Sequence, residues 1–217
     1  MKNNPLVFMG DVHCEHEQML GLLDKFIAPT AVIQVGDICC GMGFERFLLD
    51  NRGQVGVQNR LDPLRFICGN HDNRSLAKTD NTLKRRYLGD YGVLDLPGYP
   101  AIGFLSGEFS VDANIRLIGR DWWPDEELSF NELGAAIDFI AARRPRILVT
   151  HGPPAFLLDA FGVKDKTKPS RTALAVEQLI ERVNPDLHVF GHMHQSKVFH
   201  TNVTKHVCLG ILDCLEI

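Results

Sequence analysis

Leu6-Val7-Phe8-Met9-Gly10-Asp11-Val12-His13 is the stretch whose reading decides the fold. A short apolar run closed by a glycine has the length and composition of a buried strand rather than of a helix. The run then breaks at Gly10 and delivers Asp11 and His13, which sit two apart and in extended backbone point to the same side. The pattern recurs along the chain. Ala31-Val32-Ile33-Gln34-Val35-Gly36 runs into Asp37, and Arg65-Phe66-Ile67-Cys68-Gly69 runs into Asn70-His71-Asp72. Ile147-Leu148-Val149-Thr150 runs into His151, and Leu187-His188-Val189-Phe190-Gly191 runs into His192-Met193-His194.

Between these runs lie stretches with helical periodicity, over Glu17–Phe26, Phe130–Arg143 and Thr172–Val183, the last two stopped by Pro145 and Pro185. Strand–helix–strand alternation predicts an α/β core. In open α/β sheets ligands bind beyond the carboxyl ends of the strands, so the ends of these runs bring Asp, Asn and His side chains to one edge. The middle of the chain, Asn73–Asp125, reads differently. A helix is expected over Leu76–Leu88, then short strands at Gly92–Leu96, Pro100–Leu105 and Asn114–Gly119. Val198–Thr201 and His206–Leu212 predict a hairpin. No repeat, low-complexity tract or linker is visible, and residues 1–217 are read as a single domain.

The chain has 217 residues, 45% apolar and 23% charged, the profile of a globular protein long enough to bury a full core. Lys and Arg number 23 against 27 Asp and Glu, a net charge of −4. Bulk electrostatics therefore disfavours nucleic acid as a partner, while a local basic groove stays open. No apolar run approaches the roughly 18 residues of a membrane span. Met1–Pro5 lead straight into the first apolar run, which leaves no room for a signal peptide. Cys14, Cys39, Cys40, Cys68, Cys208 and Cys214 contain no C-x-x-C pair and sit mostly beside apolar runs. A reduced, cytoplasmic chain is expected.

Asp11, His13, Asp37, Asn70, His151, His192 and His194 form an N/O ligand set without thiolate, suited to Mn, Fe, Zn or Ni. They are too many for one catalytic ion that keeps an open position. They suit two ions sharing a carboxylate, roughly 3.5–4 Å apart, clamping the attacking and leaving oxygens of a phosphoryl displacement. Gly10, Gly36, Gly69 and Gly191 precede the ligands and permit close backbone approach. Taken singly, each histidine is as well read as a satisfied polar residue at a strand end; the joint pattern is not. His16, His188, His200 and His206 fall outside the pattern and read as structural or surface residues. Asp72 reads as an anchor for backbone or a ligand histidine, or as a turn residue. Trp122 and Trp123 read as core or interface aromatics ahead of cleft walls. Arg74 and Arg120 read as surface ion pairs ahead of phosphate contacts. Lys84-Arg85-Arg86 reads as a solvated helix face, and Lys164–Lys168 as a loop beside the site.

The ordered blocks D-x-H (Asp11, His13), G-D (Gly36, Asp37), G-N-H-D (Gly69–Asp72), H-G-P-P (His151–Pro154) and G-H-x-H (Gly191–His194) resemble the calcineurin-like metallophosphoesterase superfamily. The resemblance runs from Leu6 to His194. It implies an α/β fold of two mixed β-sheets packed as a sandwich flanked by helices. It also implies that Asp11, His13, Asp37 and His194 hold one divalent metal ion. Asp37, Asn70, His151 and His192 would hold a second, with Asp37 bridging. Manganese is the first expectation, with Fe, Zn or Ni as alternatives. The implied reaction is hydrolysis of a phosphate mono- or diester by a metal-activated hydroxide, with a small phosphate ester as substrate. His71 would protonate the leaving oxygen or stabilise charge, assisted by Asn70.

The chain departs from the phosphoprotein phosphatases of that superfamily, which place a phosphate-binding Arg just after the G-D block. Here the sequence reads Gly36-Asp37-Ile38-Cys39-Cys40-Gly41-Met42-Gly43, with no Arg. Gly107–Asp112, Asp121–Glu127 and Ser170-Arg171-Thr172 resemble small bacterial and phage metallophosphoesterases instead. Two rival readings stand beside the small-molecule enzyme. One is a nuclease of the same superfamily, disfavoured by the net charge and the lack of a long basic insert. The other is a non-catalytic interaction module, like the retromer subunit of this fold, disfavoured by the complete ligand set and His71.

Overall fold

The computed structural model describes residues 4–163 and 169–217. Strands β1 (Leu6–Met9), β2 (Ala31–Gln34) and β3 (Leu64–Phe66) lie parallel, side by side. A second sheet contains β4 (Tyr91–Leu94), β5 (Ile102–Leu105), β6 (Ile147–Thr150), β7 (Leu187–Phe190), β8 (Lys197–His200) and β9 (Lys205–Cys208). Its order is β4-β5-β6-β7-β9-β8, with parallel inner strands and antiparallel edges at β4 and β8. The chain ends by returning to the first sheet, where β10 (Cys214–Glu216) pairs antiparallel with β1.

Strand alternation explains the layering, because successive side chains point to opposite faces. Leu6 and Phe8 pack with Ile33, Val35 and Ile67 against Ile102, Phe104, Ile147, Val149 and Val189, forming the core between the sheets. Val7, Met9, Val32, Leu64 and Phe66 face the other way. They bury the apolar sides of α1 (His16–Leu23), α2 (Phe44–Asp50), α3 (Val55–Leu61) and α4 (Arg74–Thr79). On the far side, Leu105 and Leu148 pack under α5 (Phe130–Arg143) and α6 (Arg171–Val183). The result is the expected α/β/β/α sandwich. Among the described residues no helix is long and apolar enough to cross a membrane.

Helix α5 is bounded as its sequence dictates. Ser129 and Glu132 form a capping box, and Arg144 closes the helix in the left-handed conformation before Pro145. Helix α6 starts on the Ser170 side chain, which accepts from Ala173 N, and ends at left-handed Asn184 before Pro185. The helix expected over Leu76–Leu88 is shorter than its pattern. It ends at Thr79, because Asp80 Oδ1 accepts the backbone N–H groups of Thr82 and Leu83 and pulls the chain into a turn. Leu83 is nevertheless fully buried, so the apolar spacing came from a packed turn. The strand expected over Asn114–Gly119 is also corrected. Ala113–Ile115 is a 3₁₀ turn, and Leu117 N is captured by Asp121 Oδ1 at 2.6 Å. The expected hairpin forms, as β8 and β9.

Candidate metal centre

The site lies where the C-terminal ends of β1, β2 and β3 meet those of β6 and β7, so each sheet supplies part of it. The expected reason for convergence, extended backbone within D-x-H, is not what the chain does. His13, Asp37, His192 and His194 have φ values of 45°, 62°, 65° and 52°. Strands β1, β2 and β7 thus each stop in a sharp left-handed turn that throws side chains back over the sheet edge. Non-glycine residues held there cost of order 1–3 kcal/mol each, a strain that concentrates at functional sites.

Two groups of donor atoms form around Asp37. In the first, ligand atoms from Asp11, His13, Asp37 and His194 all lie within 4.8 Å of one another. His13 Nε2 is 2.7 Å from His194 Nε2, and Asp11 Oδ2 is 3.2 Å from His194 Nε2. In the second, Asn70 Oδ1 lies 3.0 Å from both His151 Nε2 and His192 Nδ1, and Asp37 Oδ1 lies 3.3 Å from His151 Nε2. All seven residues singled out as ligands are therefore brought together, and Asp37 belongs to both groups. His71, on the chain just after Asn70, packs its ring edge-on against His13 at 4.9 Å and lines the same cavity.

The donor set is one that could hold a cation. His151 Nδ1 donates to Val35 O at 2.9 Å, which fixes the ring and aims Nε2 at Asn70 Oδ1 and Asp37 Oδ1. Asn70 Nδ2 donates to Ser110 Oγ at 3.1 Å, which fixes Oδ1 toward the histidines. Asp37 Oδ2 is buried and has no hydrogen-bond partner among the described residues, an arrangement that buried oxygens normally avoid. Charge tells the same story. Burial opposes charge on His151, yet Asp37 and Asp11 outweigh it and raise the His151 pKa to about 10. His192 is pushed down to about 3 by burial and by His151. Burial would raise Asp37, but His151 and the neighbouring histidines hold it far below the usual carboxylate range. The carboxylates thus favour positive charge inside the cluster; His151 carries it in the metal-free chain, and divalent ions could take its place.

The surrounding shell is built for position. Fully buried Asp72 accepts three backbone N–H groups at 2.8 Å, those of Asp37, Gly69 and Cys40, so it clips the ends of β2 and β3 together. This settles its role as a backbone anchor. Gly36 and Gly69 are needed for close approach: a Cβ on Gly36 would strike the His151 ring, and one on Gly69 would strike Asp37 Oδ1. Behind β6, Thr150 Oγ1 donates to Gly152 O at 2.6 Å and so accepts from His188 Nε2 at 2.9 Å. His188 Nδ1 then accepts from His206 Nδ1 at 3.1 Å, which leaves His206 Nε2 an unprotonated nitrogen with no partner among the described residues. Both histidines are structural, as their place outside the motif blocks implied. His16, also buried, bonds Ile38 O at 2.8 Å.

The favoured ion-pair reading holds for Arg74, and the alternative of a phosphate contact holds for neither arginine. Arg74 is buried between Asp90 and Asp125, 3.9 Å from each, and Arg120 is exposed; neither lines the cavity. Sequence reasoning passed over Arg116, which does. Its Nη2 donates to His71 Nε2 at 2.6 Å and pairs with Asp112 at 2.7 Å, and its Nη1 donates to Ser110 Oγ. The available signal was the Asp112/Arg116 spacing, an i,i+4 pair of opposite charge. Burial lowers the His71 pKa, against the pull of Asp37 and with help from Arg116. Trp123 is core, packed beneath Gly41, and neither tryptophan lines the cavity. The expected loop Lys164–Lys168 lies outside the described residues.

A family model of calcineurin-like phosphoesterases matches residues 5–196, and the chain belongs to that family. No curated protein matches it. Among solved structures it is similar to TT1561 of Thermus thermophilus, at 13% identity and a TM-score of 0.58, over 97% of this chain and 90% of that one. The phosphopantetheinyl hydrolase PptH of Mycobacterium tuberculosis is similar at 15% identity and a TM-score of 0.52, over 95% and 89%. GAP50, the anchor in the inner membrane complex of Plasmodium, is similar at 12% identity and a TM-score of 0.52, over 96% and 72%. At these identities the likeness is one of fold alone.

Proposed function

We propose that this chain is a dinuclear, divalent-metal-dependent hydrolase of small phosphate esters. One observation carries the reading. Asp37 offers Oδ1 to the Asn70–His151–His192 group and Oδ2, buried without a hydrogen-bond partner among the described residues and 3.7 Å from His13 Nε2, to the Asp11–His13–His194 group. A carboxylate shared in this way is what two adjacent ions require. Bound there, the ions supply Lewis acidity and bring the pKa of coordinated water toward neutrality.

The chain's own residues do the rest. Arg116 takes an ester phosphate oxygen with its planar guanidinium. In doing so it leaves His71 Nε2, which is then free to carry a proton. As the bond from phosphorus to the leaving oxygen breaks and one to the water oxygen forms, His71 gives its proton to the leaving oxygen. Asn70, fixed by Ser110, holds its amide oxygen in place at the centre. Manganese fits the N/O donor set, and six free cysteines fit a reducing, cytoplasmic setting.

The test is hydrolysis of p-nitrophenyl phosphate and bis(p-nitrophenyl) phosphate by the manganese-loaded chain and by Asp37→Ala. Turnover of at least one ester, lost in the variant while its circular dichroism is unchanged, is expected. Metal-loaded chain that hydrolyses neither ester overturns the reading.

A further inference from the structure

The cavity over the candidate centre has two unlike walls. Its floor is the histidine and carboxylate cluster. Its other wall is apolar, lined by Phe109, Val111, Leu158, Val163, Met193 and Ile211. These come from four separate segments: the stretch after β5, the 3₁₀ turn after β6, the loop after β7 and the turn after β9. Phe109, Val111 and Ile211 are 41%, 69% and 46% exposed, so the wall holds apolar surface left in contact with water. The cavity measures about 520 Å³, the size of a site for an organic molecule and far more than a phosphate needs. Charge is equally selective. Among the described lining residues Arg116 is the one Arg or Lys, and Asp112 already pairs with it. Glu108, 3% exposed, also lines the cavity, and its Oε2 has no hydrogen-bond partner among the described residues. Among the described lining residues there is thus one cation, enough for one phosphate.

We propose that this wall is the specificity pocket for the organic half of the ester, so that the substrate is a single phosphate joined to a largely apolar alcohol or phenol. The proposal rests on the phosphoesterase reading for the phosphate and adds the class of group attached to it. Phe109 and Val111 lie on the segment that also carries Arg116, so the apolar wall adjoins the groups that hold the phosphate and protonate the leaving oxygen. Sugars are disfavoured, because the apolar wall would leave their hydroxyls unpaired.

Two measurements on the full metal-loaded chain test this and keep it separate from the hydrolase reading. The first is calorimetric binding of ethyl-, butyl- and hexylphosphonate, whose P–C bond resists hydrolysis. The second is kcat/KM for ethyl, butyl and hexyl phosphate and for ribose 5-phosphate. Burial of each methylene predicts a gain of about fourfold in affinity and in kcat/KM until the pocket is filled. Hexyl phosphate should be preferred over ribose 5-phosphate. Val111→Asp and Phe109→Ser, both at exposed positions where folding is safe, should flatten the gradient. A binding gradient without turnover keeps the pocket and removes the hydrolase reading. Turnover with no chain-length gradient, a preference for ribose 5-phosphate, or a gradient unchanged in both variants overturns the pocket.

Discussion

Replacing Asp72 with alanine removes one carboxylate from a fully buried position and strands three donors at once. The backbone N–H groups of Asp37, Cys40 and Gly69 each sit 2.8 Å from an Asp72 oxygen. A buried donor left unpaired costs about 1–3 kcal/mol, so three together cost roughly 3 kcal/mol at the least. For a chain of this size each kcal/mol moves Tm by about 2–4 °C, which predicts a fall of about 6–12 °C in the metal-free protein. The same bonds fix the left-handed turn that aims Asp37, so metal affinity should fall with stability even though Asp72 touches no ion. The assay is differential scanning calorimetry of metal-free wild type and variant, followed by titration with manganese. Asp72→Ala melting within about 2 °C of wild type would refute the hydrogen-bond accounting. Unchanged metal affinity would refute the link from Asp72 to Asp37.

His71→Ala should keep its metals and lose about 10²–10⁴-fold in kcat/KM on an alkyl phosphate, but much less on nitrophenyl phosphate, whose leaving group needs no proton. Equal losses on both would make His71 a charge stabiliser. Arg116→Ala should lower kcat/KM about 10- to 150-fold, the worth of a hydrogen bond to a charged group, and phosphate inhibition should weaken in parallel; unchanged inhibition would remove Arg116 from the phosphate site. His188 is held well below its ordinary value of 6.5 by burial and by His206, and burial and His200 bring His206 down to about 4. Both are neutral when folded, whereas the unfolded chain takes up protons below 6.5, so their contribution to stability is present above 6.5 and is lost as pH falls toward 4. Urea unfolding of the metal-free protein between pH 7 and 5 should therefore show a shallower acid loss for His206→Gln than for wild type; parallel curves would contradict the assignment.

The frame and the ligands were legible because both depend on local pattern. A four-residue apolar strand ending in Gly-Asp says where the sheet stops and what stands at its edge. What sequence could not supply was the reason for convergence, since the left-handed φ of His13, His192 and His194 carries no glycine to announce it. Short helices α2 and α3, seven residues each, were too brief for periodicity to reveal. Strand β10 was missed because its pairing with β1 joins the two ends of the described chain. Arg116 escaped for a similar reason: its partners His71 and Ser110 are placed by the fold, and nothing local distinguishes it from an ordinary i,i+4 ion pair.

Asp37 is assigned to two ions at once, and metal stoichiometry tests that most directly. The chain is stripped of metal, saturated with manganese, freed of excess and analysed for metal and protein together, beside Asp37→Ala. Two ions per chain in the wild type, with binding crippled in the variant, is the predicted result. One ion or none in the wild type, or two retained by Asp37→Ala, would contradict it.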